Sequence, residues 1–332
     1  MGKLLLCCAL FSLLIQPSSA QVVDKSNDRV APPPPPKLAE VVRVEAQPSK
    51  GFSYPYYFYV PPELSGEKGK NVAQTLLVLP NNTGKPDDNF AVHDNSARRY
   101  IEDLRRLGSN LKVALLVPAF PRPAADWRVY THALDRDSLL TERKEYRRFD
   151  RQLIRMIDDA RTRLRSDGYR FDKRVLMYGF SAAGMFTNRF TFLHPERIKA
   201  AAVGSPGGWP IAPVESWKGK SLRYPIGVAD FKTVSGERLD VKGLRRVPLF
   251  LFLGAEDTND SVIFRDSYEV EDEELIIALF GRTLIERWAF TQEMYGENLP
   301  AATLKLYPEV GHSVSKEMWG DIKAFFSKHL HE

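Results

Sequence analysis

The stretch that most constrains the fold is Val175 to Gly184, which reads Val-Leu-Met-Tyr-Gly-Phe-Ser-Ala-Ala-Gly. An apolar run reaches Gly179, passes through Ser181, and leaves into small, helix-tolerant residues that continue to about Leu193. The order is strand, tight turn, helix. A turn that narrow needs small residues two before the serine and two or three after it, and Gly179, Ala183 and Gly184 supply them. It lifts the Ser181 hydroxyl clear of the strand end, with the Ala182 amide opening the helix beside it. One piece of backbone then offers a nucleophile and one oxyanion donor. An ordinary strand-to-helix turn capped by serine is the plainer reading of the same residues.

The remaining pattern frames this turn. Val41 to Ala46 alternates and Phe52 to Val60 is an aromatic run, together predicting an antiparallel opening pair. Continuous apolar runs at Thr75–Leu79, Lys112–Val117, Ala200–Val203 and Val247–Leu253 have the form of strands buried on both faces, and Ala302–Tyr307 closes the set. Between them, steps of three and four predict helices over Ser96–Leu107, Tyr146–Leu164, Asp272–Tyr295 and Lys316–Leu330. Strands alternating with helices predict an α/β fold: a mostly parallel sheet covered on both faces. Ile211 to Arg246 has no strong period and is expected to be an insertion over the site, a small β-rich cap.

The ends set the compartment. Met1–Ala20 carries Lys3, an apolar run from Leu4 to Ile15 and small residues at Ser18 and Ala20, the pattern of a cleaved signal peptide. Its apolar run is too short to span a bilayer stably. Residues 21–39 contain five successive prolines, Pro32–Pro36, and read as an extended spacer, leaving 40–332 as the folded domain. The expectation is a secreted or periplasmic protein. Cys7 and Cys8 are the only cysteines, so the mature chain has no disulfide and no thiolate metal site. The net charge of +5 is spread among acids, which argues against nucleic-acid binding. No His-Glu-x-x-His helix, Asp-rich calcium loop or phosphate-cradling loop is present, and no cofactor or metal is expected.

A serine hydroxyl becomes a useful nucleophile only when a base takes its proton and an acid fixes the base. The elbow around Ser181, the Gly254-Ala255-Glu256-Asp257 loop after one buried strand and Gly311-His312 after the last strand together resemble the α/β-hydrolase family. The resemblance covers nearly all of Val41 to Leu330, with Ala183 standing where the family's second elbow glycine usually falls. It implies the order serine, acid, histidine, and points to Ser181, Asp257 and His312, with Glu256 and Asp260 as competing acids. It also implies a second oxyanion amide from the Pro80–Gly84 loop, at Asn82 or Asn81. Within that family the chain resembles secreted bacterial esterases of the polyhydroxyalkanoate depolymerase and feruloyl esterase kind, which implies hydrolysis of a small or polymeric carboxylic ester. Trp127 and Trp209, on loops at the same end of the sheet, are candidates for the substrate wall or for packing between loop and body. A compact serine peptidase and a non-catalytic binding protein of the same fold are the alternatives.

Overall fold

A computed structural model describes residues 40–330 apart from Asp266. The expected leader (1–20) and Pro-rich spacer (21–39) lie outside the described residues. Eight strands form one sheet: β1 (Val42–Val44), β2 (Tyr56–Tyr59), β3 (Leu76–Val78), β4 (Ala114–Pro118), β5 (Val175–Phe180), β6 (Ile198–Gly204), β9 (Leu249–Gly254) and β10 (Ala302–Tyr307). A separate hairpin pairs β7 (Ser216–Trp217) with β8 (Lys220–Ser221). The sheet order is β1-β2-β4-β3-β5-β6-β9-β10, antiparallel across β1-β2-β4 and parallel from there on. The expected opening pair is present, in register Val42 to Phe58 and Val44 to Tyr56.

Apolar runs become the central strands because both of their faces are covered. On one face, α1 (Phe90–Leu111) and α9 (Lys316–His329) bury Ile101, Leu107, Ile322 and Phe326 against Leu77, Leu115 and Tyr178. On the other, α3 (Phe149–Ser166), α4 (Ala182–Leu193) and α8 (Leu284–Asn298) bury Phe149, Met156, Phe186, Phe190 and Trp288 against Val78, Met177 and Val203. Every residue of α4 is buried, so the elbow helix is a core element along its whole length. Among the described residues, no helix is long and apolar enough to cross a membrane.

Two expectations change. The single helix expected over Asp272–Tyr295 is two, α7 (Val270–Phe280) and α8, broken at Gly281, whose φ is 103°. Thr283 then caps α8 in a reciprocal box with Glu286, satisfying the new helix start. The expected β-rich cap is instead one two-residue hairpin with the short helices α5 (Phe231–Ser235) and α6 (Val241–Leu244). Its Ile211, Tyr224, Phe231 and Leu244 are buried in the main core, so this segment is part of the body. Packing also orders the long loop after β4, which holds a 3-10 turn (Thr131–Ala133) and α2 (Arg136–Leu140).

Candidate active site

Ser181 follows β5 and caps the start of α4 with φ 61° and ψ −127°, a conformation that a residue with a side chain holds only when its surroundings force it. Two contacts force it. The Ser181 N–H donates to Gly204 O at 3.0 Å, tying the turn to the end of β6. The turn is also steric: a Cβ on Gly179 would meet Ala183 O at 1.9 Å, and one on Gly184 would meet Gly204 O at 2.4 Å. Ala183 is accommodated because the close crossing of β6 falls on its neighbour, Gly184. Ala182, at the first position of α4, and the amides after it carry N–H groups with no partner within the helix.

Asp257 and His312 follow β9 and β10, the last two strands of the sheet. Asp257 follows β9, and its carboxylate lies 3.0 and 2.9 Å from Nδ1 of His312, in the loop after β10. The Asp257 side chain is fully buried, whereas 27% of the His312 side chain is exposed. Burial works against ionisation of Asp257, but the His312 hydrogen bond and the Asn259 N–H outweigh it and hold its pKa below the usual carboxylate value. The Phe180 ring packs on the imidazole with centroids 4.8 Å apart. The competing acids are placed elsewhere. Glu256 is exposed, and Asp260 is buried against Arg287, with both oxygens within 2.9 Å of Nη1.

The loop after β3 is anchored from beneath. The buried Asn81 side chain donates to Phe120 O at 2.8 Å and accepts from Phe120 N–H at 3.1 Å, while Asn82 next to it is exposed. Two buried histidines complete the anchor. His132 Nε2 donates to Phe120 O at 2.7 Å and its Nδ1 accepts from Thr83 N–H at 3.2 Å, while His93 Nδ1 lies 3.0 Å from Thr83 Oγ1. Burial pushes His132 down to about 3, so it stays neutral. No spacing in the sequence singles out this pair, because the two residues come from α1 and from an irregular loop.

The tryptophans separate. Trp127 is 63% exposed on the rim of a cavity of about 200 Å³ that Tyr130 and Tyr268 also line. Trp209 is 1% exposed, stacks on Phe280 with centroids 4.1 Å apart, and donates from Nε1 to Ile226 O at 2.8 Å. It is core packing and offers no wall to a substrate. A second cavity, of about 400 Å³, lies between α1 and α9 and is lined by Asn82, Tyr100, Tyr178, Phe180, Ala183 and Trp319 among others. Among the described residues there is no group of three or more His, Cys, Asp or Glu able to hold a metal. Sequence reasoning gave no part in the site to Asn259, whose side-chain nitrogen lies 2.9 Å from His312 Nε2. Only the folded position of the imidazole singles it out.

No protein-family model and no curated protein matches the chain. Solved structures do. A poly(aspartic acid) hydrolase-1 from Sphingomonas sp. KT-1 superposes with a TM-score of 0.54 at 20% identity, over 88% of this chain and 98% of the other. LpqC, a poly(3-hydroxybutyrate) depolymerase from Bordetella parapertussis, superposes with a TM-score of 0.55 at 17% identity, over 85% and 91%. With the strand order and the elbow, they show that the fold is the α/β-hydrolase fold.

Proposed function

We propose that the protein is a secreted or periplasmic serine hydrolase that cleaves a carboxylic ester through an acyl-enzyme, with Ser181 as nucleophile, His312 as base and Asp257 as acid. The observation that carries the reading is the buried Asp257 carboxylate on His312 Nδ1, which leaves Nε2 as the proton acceptor at the same end of the sheet as the strained serine. The solved structures of like fold named a hydrolase and a depolymerase accord with it.

In this reading His312 Nε2 takes the Ser181 proton as Oγ attacks the ester carbonyl. The Ala182 and Asn82 amides receive the oxyanion, and His312 returns the proton to the leaving alcohol. Water activated by the same nitrogen then releases the acid. Asp257 stays ionised throughout and stabilises the imidazolium. Trp127, exposed beside the cavity that Tyr130 and Tyr268 line, is the remaining tryptophan candidate for the substrate wall.

The test is intact-mass spectrometry after treatment with a fluorophosphonate, on the parent protein, Ser181→Ala and His312→Ala. One adduct on the parent, mapped to Ser181, absent in Ser181→Ala and slowed by about a thousandfold or more in His312→Ala, is the expected result. No adduct on the parent, or one that survives Ser181→Ala, would leave a binding protein of this fold as the better reading.

A further inference from the structure

One loop holds His312 at both ring nitrogens. Because Nδ1 faces the two oxygens of Asp257, that nitrogen carries the proton and Nε2 keeps its lone pair. Asn259 Nδ2, 2.9 Å away, donates to that lone pair, and the Asn259 N–H donates to Asp257 Oδ1 at 2.9 Å. The turn that orients the acid thus fixes where the asparagine side chain reaches. Ser181 Oγ hydrogen-bonds to no described residue, and Nε2, the atom that must accept its proton, is already occupied by Asn259.

Building on the hydrolase reading, we propose that Asn259 gates the base: its amide occupies Nε2 of His312 in the unliganded protein and yields that atom to Ser181 when an ester enters. The layout suits the role. Asn259 and its contact are exposed, so the amide can turn into water without opening the core, whereas the imidazole is held by buried Asp257 and by Phe180. Breaking the contact costs one neutral hydrogen bond, a penalty that each acylation must meet.

Second-order acylation rates with a fluorophosphonate, for the parent, Asn259→Ala and Asn259→Asp, test the proposal alongside the ¹⁵N resonance of His312 Nε2. Freeing the lone pair should make Asn259→Ala acylate about two- to tenfold faster, the reach of one net hydrogen bond. Its Nε2 resonance should move toward that of an unbonded lone pair. Asn259→Asp, nearly the same size, should acylate more slowly than the parent, because a carboxylate holds a proton on Nε2. Acylation of Asn259→Ala at or below the parent rate, or an unmoved resonance, would overturn the proposal and leave the hydrolase reading intact. A resonance that moves while neither the parent nor a variant acylates would remove the gating role together with the hydrolase reading.

Discussion

At the scale of single residues, the site combines groups whose charge states are fixed by opposite means. Asp257 is kept ionised by its partners against its own burial, and His132 is kept neutral by burial in spite of the Phe120 carbonyl that favours its charged form. The second arrangement ties the loop carrying Asn82 to pH. The folded pKa of His132, about 3, lies below the unfolded value near 6.5, so its contribution is fully present above that value. As pH falls below 6.5 the unfolded chain takes a proton that the folded one refuses, and stability drops by about 1.4 kcal/mol per pH unit until the folded group also titrates. Other groups titrate in the same range, so the readout is a difference. Urea unfolding at pH 7 and pH 5 should show the parent losing about 2 kcal/mol more than His132→Gln, which has no proton to take up. Equal losses would mean that His132 is not held neutral.

At the scale of elements, legibility followed the reach of the interaction that forms each one. Strands β5, β6 and β9 were visible as apolar runs, and the elbow as small residues around Ser181, because both signals are local. The break between α7 and α8 was also written locally, as Gly281 followed by Thr283 and, three residues on, Glu286. Apolar spacing that continues across the break masks it. Gly184 shows a local preference losing to a distant contact. Inside a helix, alanine is favoured over glycine by about 1 kcal/mol, but a Cβ there would meet the backbone oxygen of Gly204 at 2.4 Å. Overpacking of that kind costs about 1–3 kcal/mol. Gly184→Ala should therefore lower the urea midpoint, although helix propensity alone predicts a rise. A raised midpoint would show that α4 can draw back from β6 at little cost.

At the scale of the whole molecule, what stayed illegible was whatever needs two distant segments to be seen together. In the sequence Asp257 is favoured over Glu256 and Asp260 only by its place in the family pattern, and the fold separates the three by giving each different surroundings. Trp209 is likewise indistinguishable from Trp127 until Phe280 covers it. Arg287 of α8 is the clearest case, because it joins four segments. It meets Asp260 on the acid loop, Gly208 O after β6 at 3.4 Å, and the carbonyls of Gly281 and Arg282 in the break before α8 at 3.0 and 2.7 Å. Its side chain is 1% exposed and that of Asp260 8%, so neither charge has water to fall back on. Removing one member of such a pair strands the other, at about 3–5 kcal/mol, whereas replacing both by apolar groups removes the stranded charge. Arg287→Met should therefore destabilise by that amount, and Arg287→Met with Asp260→Leu should recover part of it. The double variant keeps a deficit, since the Val262 N–H also loses its acceptor on Asp260. Urea midpoints of the two singles and the double close the cycle. A double variant no more stable than Arg287→Met would mean that Arg287 acts through the three carbonyls it binds and that the ion pair adds little.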